Sequence, residues 1–376
     1  MINWEKIRED YPASENYIYL GTNGGGPVSR SYVAHATALL EEQSRKGRLV
    51  MPSWDSQTSE ARALLARMIN ASPSEIAFIT NTAQGITNLH GMFPKHYEII
   101  TMHDEFPTSF VNWMHNGYKV HLVGHSGNGV ISIEDIEKQI TPATRLLITS
   151  HVMFRTGFKQ DLKKIGELCK KHDLIHIVDA TQSFGVEPVD VQACHVDIYF
   201  FHAYKWVTGG YGIGGMYISQ KILDQYPPQV MGWYNVEYSQ PDFHSVQDHT
   251  VFHPKKNAQV FEGGTLPYFN ILMLKHTLEY LNNIGLDHIN AYVHTLIRYL
   301  HEQAAKHNIR ILSNFPAQHL SAIQRLDITP EQFANIEKRN IVARYKNKQL
   351  TIGLNFYNNR KDVDTLLGCL TQDYTD

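Results

Sequence analysis

HIVDATQSFG (176–185), followed by VDIYFFHAYKWVTGGYGIGGMYIS (196–219), decides how the rest of the chain is read. Three short apolar runs are found here, at 174–178, 196–201 and 213–218, with Asp179, the Gly209-Gly210 pair and Ser219 as punctuation. Runs of this length between turn residues read as buried strands. Asp179 directly follows the first run, which puts its carboxylate at the C-terminal end of a strand. Gln182 lies in the turn after it. Lys205 follows the second run, 26 positions beyond Asp179 and between Tyr204 and Trp206. A lysine in that place is partly desolvated. Desolvation favours the neutral amine, the form that condenses with an aldehyde.

Outward from this segment, strands and helices alternate. Strands are predicted at 76–80, 98–101, 119–123 and 146–149, and helices at 83–92, 108–115, 132–140 and 161–172. In the last of these, Leu162, Ile165 and Leu168 recur at helical spacing with lysines on the outer face. Such alternation predicts an α/β fold with a mainly parallel sheet covered by helices on both faces. Ligands bind such sheets beyond the carboxyl ends of the strands. After Thr265 the pattern changes to two long helices, 268–284 and 287–307, then short strands (310–312, 322–326, 350–354) alternating with helices (330–339, 361–370). The expected division is a large domain at 21–264 and a smaller α/β domain formed by 1–20 and 265–376.

Composition bounds the function. The chain has 376 residues, 43% hydrophobic and 19% charged, with a formal net charge of −3. This is an ordinary globular make-up, and nothing in it points to a nucleic-acid or membrane partner. No apolar run reaches the ~18 residues of a membrane span. The polar, acidic start MINWEKIREDYPASE reads as neither signal nor transit peptide, so a cytoplasmic location is expected. Three scattered cysteines, Cys169, Cys194 and Cys369, suit a reducing compartment and show no metal-like spacing.

Pyridoxal 5'-phosphate asks a protein for a lysine, an acid that keeps its pyridine nitrogen protonated, donors for its phosphate and a flat group against its ring. The stretches YIYLGTNGGGP, TNTAQGITN, HDEFPTSF, SHVMFRTGF, VDATQSFG, FHAYKW, VFEGGTLPY and FYNNRKDVD occur in one order along the chain. In that order they resemble the class V aminotransferase family, which includes the cysteine desulfurases. The branch resembled carries a Glu-Phe-Pro loop, here Glu105-Phe106-Pro107, and a Phe-x-Thr-Gly-Phe loop, here Phe154–Phe158.

The resemblance implies fold type I, with a seven-stranded large domain. It implies that Lys205 carries pyridoxal 5'-phosphate as an imine, that Asp179 partners the pyridine nitrogen and that Gln182 donates to the ring hydroxyl. Phe106 matches the ring-stacking position. Thr82, Ala83 and Gln84 match the phosphate turn, where Ala83 could contribute only its N–H. His202 and Tyr204 match further phosphate ligands. Thr265 matches a threonine that reaches the phosphate of a neighbouring subunit, so a homodimer with shared active sites is implied.

Two departures from the family pattern narrow the reaction. The stretch 333–345, where a desulfurase carries its nucleophilic cysteine, has none, which argues against persulfide transfer. Thr351 stands where the family places the arginine that clamps a substrate carboxylate, and a threonine cannot imitate a bidentate guanidinium. Arg155 is the first substitute, Arg344 the second, and Asn23 with Gly24–Gly26 resembles the substrate-side loop. The expected function is aminotransferase-type chemistry on a small amino acid or amine. The alternatives are a C–S or other β-eliminating lyase, an epimerase, or a protein that binds the cofactor without turnover.

Several features have plainer readings. Gly210–Gly215 contains the spacing GxGxxG, but it precedes a strand, whereas a dinucleotide loop must precede a helix. It is read as a turn. His244, His249 and His253 lie between Pro241 and Pro254 without helical periodicity and are read as a mobile loop, not a metal site. No metal is expected.

Overall fold

The apolar runs are assembled into one seven-stranded sheet. A computed structural model describes residues 2–125, 129–240 and 243–371. Its central strands are β1 (Ile76–Ile79), β2 (Glu98–Met102), β3 (Lys119–Val123), β4 (Thr144–Ser150), β5 (Ile175–Asp179), β6 (Ile198–His202) and β7 (Gly214–Ile218). Their spatial order is β1-β7-β6-β5-β4-β2-β3. All neighbours pair in parallel except β7, which runs antiparallel to both β6 and β1. Every residue of β1, β5, β6 and β7 is buried. Strands covered on both faces need continuous apolar runs, which is what the sequence shows there.

Helices cover the sheet. The helix Leu162–Lys171 buries Leu162, Ile165, Leu168 and Cys169 and keeps lysines in its last turn; Asp161 caps it by accepting from the Lys164 N–H at 3.1 Å. The helix predicted at 132–140 is shorter, Ile133–Glu137, with Ser132 capping the Asp135 N–H. The helix predicted at 108–115 begins at Val111, because Pro107–Ser109 forms a 3-10 turn first. Two long helices, Arg30–Lys46 and Met51–Met68, pack against Tyr268–Ile284. Between them and the sheet lies a buried ion pair. Arg62 donates to both oxygens of Glu262 at 2.8 and 3.0 Å and to the Ile76 carbonyl at 2.6 Å.

A second sheet is antiparallel, with Gln349–Gly353 between Ile323–Asp327 and Arg344–Lys346. The strand expected at 310–312 is reduced to one bridge, Ile311 to Leu326. The start of the chain is tied to this region. Ile18–Tyr19 pairs in parallel with Ile341–Val342, and Arg8 forms a forked ion pair with Asp362 at 2.7 and 2.9 Å. The segment with His244, His249 and His253, expected as a mobile loop, includes an antiparallel hairpin, Val236–Tyr238 with Phe252–Pro254. Its register is supported by Phe243, which packs against Tyr238 and His249. Pro241 lies outside the described residues. Among the described residues, no three His, Cys, Asp or Glu side chains converge as metal ligands. No helix among them is long and apolar enough to cross a membrane.

Candidate active site

The C-terminal ends of β4, β5 and β6 open into a cavity of about 400 Å³. Its lining includes Thr82, Ala83, Phe106, Asp179, Gln182, His202, Tyr204 and Lys205, which lie on four separate chain segments. Topology brings them together: Ser150 and Asp179 are register partners at adjoining strand ends, and β6 ends at His202, three residues before the lysine.

Lys205 is 8% exposed. Burial pulls its ammonium pKa down to about 8, while the Asp179 carboxylate pulls the other way. Asp179 is 5% exposed and accepts from the Thr181 N–H at 2.8 Å. Burial raises its pKa, opposed by Thr181 and by the charge of Lys205. No cation of the described residues forms an ion pair with it. Gln182 is held at both ends of its amide: Oε1 accepts from the buried Trp206 indole at 3.0 Å, and Nε2 donates to the Asn23 carbonyl at 3.1 Å. That fixes which end is the donor and leaves the second Nε2 hydrogen free.

The lysine's backbone is clamped from two sides. The Gly26 N–H donates to the Tyr204 carbonyl at 2.7 Å, and a Cβ at Gly26 would sit 2.3 Å from the Lys205 carbonyl oxygen. Thr208 closes the turn, its N–H donating to the Lys205 carbonyl at 3.0 Å, and it does so at φ 57°. A β-branched residue is strained in that left-handed region, and such strain persists where the surroundings hold it. Here its buried hydroxyl is hydrogen-bonded to the Tyr11 hydroxyl at 2.9 Å.

At the other end of the cavity, Thr82 opens the helix Thr82–Asn88 and its hydroxyl meets that of Thr181 at 2.8 Å. The first N–H groups of a helix have no partner inside it. His202 lies edge-on to Tyr204, and burial lowers its pKa to about 4, so it is neutral. Phe106 is half exposed at the rim and meets Phe154 edge-to-face at 5.3 Å.

Not every residue singled out in the sequence reaches the cavity. Gln84 turns back, its carbonyl accepting from the Thr80 N–H at 2.8 Å and the Thr80 hydroxyl at 2.9 Å. Thr265 is exposed and lines neither this cavity nor the one beside it. Arg155 is 63% exposed, lies over the Phe154 ring and faces Asp104 at 4.0 Å. Asn23 and Arg344 line a second chamber, also about 400 Å³, which shares Lys205, Gln182, Phe106, Phe154 and Tyr211 with the first.

Other lining residues were not singled out: Asn81, Thr108, Ser150, Thr181 and Tyr211. For Ser150 a signal existed, since it ends the strand beside β5. Behind it lies Glu105, whose carboxylate accepts from the Ser150 N–H at 2.6 Å and from the Ser150 hydroxyl. Burial raises the Glu105 pKa to about 7, against the pull of those bonds.

Comparison with known proteins agrees with this architecture. The family model Aminotransferase class-V matches residues 42–366. A probable cysteine desulfurase of Methanothermobacter thermautotrophicus is 29% identical over 307 residues, 79% of this chain and 74% of that protein. An uncharacterized aminotransferase of Bacillus subtilis, YcbU, is 24% identical over 368 residues, 96% and 95% of the two chains. Among solved structures, the apo cysteine desulfurase of Thermococcus onnurineus superposes with a TM-score of 0.85 at 22% identity, covering 98% of this chain and 97% of that one. The cystine C-S lyase C-DES gives 0.85 at 20% identity, covering 96% and 99%. The sheet, the buried lysine at its carboxyl edge and the family match lead to one conclusion: the chain belongs to the class V aminotransferase family, pyridoxal 5'-phosphate enzymes of fold type I.

Proposed function

We propose that Lys205 carries the cofactor and that the enzyme runs aminotransferase-type chemistry on an amino acid or amine. The observation that carries this reading is the meeting of Lys205, Asp179 and Gln182 in one buried chamber that no cysteine lines. The donor set fits the cofactor. A buried carboxyl without an ion-pair partner suits a protonated pyridine nitrogen, an amide with one free N–H suits the ring hydroxyl, and the Phe106 ring stands at the cavity rim. Thr82, the Ala83 N–H, His202 and Tyr204 would hold the phosphate.

Pyridoxal 5'-phosphate supplies an electron sink for charge left on a substrate carbon. The chain supplies the rest. Lys205, with its amine near pKa 8, would take the proton from the substrate carbon and deliver it to the carbon that was the cofactor's aldehyde, the shift that aminotransfer requires. Asp179, shielded from water, would favour a proton on the ring nitrogen by its negative charge. The Trp206–Gln182–Asn23 chain fixes the orientation of the donor amide. Cys169 and Cys369 are buried and Cys194 lies away from both chambers, which supports a reaction without a protein persulfide.

We also propose the division into residues 21–264 and residues 1–20 with 265–376. A homodimer is part of the same proposal, with the exposed Thr265 reaching the phosphate site of a second copy.

The test is a visible spectrum of the purified enzyme, followed by a screen of amino compounds with and without a keto-acid acceptor. A band that bleaches on amine addition and returns with the acceptor is expected. Pyruvate and ammonia released from cysteine without any acceptor would replace this reading with a lyase.

A further inference from the structure

We infer that Arg344 is the residue that selects the substrate, by binding its carboxylate at the end of an aromatic-walled chamber that admits a bulky apolar side chain. This rests on the assignment of Lys205 as the reacting amine. The second chamber shares Lys205 with the first and is walled by Tyr19, Phe106, Phe154 and Tyr211. Among its lining residues only Lys205 and Arg344 are charged, and none is acidic. The four rings form part of a wall that also carries Asn23 and Gln182; rings of this kind hold an apolar body, and with Lys205 taken by the cofactor the remaining charge fixes its orientation.

The register of the small sheet explains why the cation is here. Thr351 on the central strand is directly opposite Arg325 on one side and Arg344 on the other. Directly opposed residues in antiparallel ladders share a face, so the three form one row. An arginine at 351 would sit between two others, and like charges directly opposed are destabilising. A threonine leaves the row free for the flanking guanidinium groups.

The competing arginines line neither chamber. Arg325 donates to Gln349, and Arg155 faces Asp104 at 4.0 Å. Arg344 has no carboxylate of the described residues within ion-pair distance. Arg344 is exposed on its strand and lines the mouth of the chamber, where an unpaired guanidinium can take a carboxylate in a forked pair.

The experiment titrates holoenzyme with matched acids and amines and follows the cofactor absorbance: phenylalanine against 2-phenylethylamine, leucine against 3-methylbutylamine, and alanine against ethylamine. Wild-type enzyme is expected to bind the two bulky acids about 10- to 100-fold tighter than their amines, the range for a hydrogen bond to a charged group. It should also bind them tighter than alanine. Arg344→Gln should abolish the acid–amine gap and leave the amines unchanged, and Arg344→Lys should keep part of it. The inference is overturned if no acid is preferred, if alanine binds as well as phenylalanine, or if Arg344→Gln weakens acids and amines alike. An absent cofactor band in wild type would instead refute the assignment of Lys205. A persisting band with a persisting acid preference in Arg344→Gln refutes only the role of Arg344.

Discussion

The depressed pKa of Lys205 predicts how fast the cofactor-free protein reacts with an amine reagent. With its pKa near 8, about one Lys205 in ten is neutral at pH 7, against about one in three thousand at the ordinary lysine value of 10.5. The structure thus makes this amine roughly 300-fold more available at neutral pH than a surface lysine. The sign follows from the causes. Burial disfavours the ammonium, so the neutral form appears at lower pH, and the Asp179 charge limits the effect. Labelling of apoprotein with trinitrobenzenesulfonate, with Lys205 followed by peptide mass, should accelerate about tenfold per pH unit below 8 and level off above it. Asp179→Asn keeps the shape of the side chain, removes its charge and should move the midpoint to lower pH. A wild-type midpoint near 10, or an Asp179→Asn midpoint shifted upward, would refute the electrostatic account of the site.

Two further outcomes test the scaffold. Arg62→Ala leaves the Glu262 carboxylate buried without its partner and should cost about 3–5 kcal/mol in urea unfolding, most of it regained when Glu262 is also made apolar. Gly26→Ala forces a methyl group against the Lys205 carbonyl oxygen, so equilibrium dialysis should show cofactor retention falling at least ~10-fold, with ~1–3 kcal/mol lost from overpacking.

The sheet was legible because buried parallel strands write themselves as apolar runs, and all seven predicted runs are strands of one sheet. The antiparallel direction of β7 was not legible, since periodicity carries no sign of chain direction. Nor were the helices Arg30–Lys46 and Met51–Met68. The first buries only Leu39, so its apolar stripe is too thin to read. The hairpin at Val236–Tyr238 was hidden because its partner Phe252–Pro254 is exposed at every residue and ends in proline. At the site, Asp179 stood out as a carboxylate closing a buried apolar run, and Gln182 and Lys205 as polar residues three positions beyond the ends of such runs. Tyr211 and Thr108 could not be found in this way, as they reach the cavity from a loop and a 3-10 turn that follow no buried apolar run directly.

The parallel pairing of Ile18–Tyr19 with Ile341–Val342 joins segments more than three hundred residues apart. During synthesis the first segment has no partner in this pairing until the second has emerged. Val342, Ala343 and Arg344, a wall of the second chamber, are made well after Lys205. A nascent chain can therefore form the β1–β7 sheet and expose Lys205 well before that chamber is enclosed. The second chamber is thus closed by residues made after those that line the first, and the cleft around Lys205 stays open on that side until they arrive.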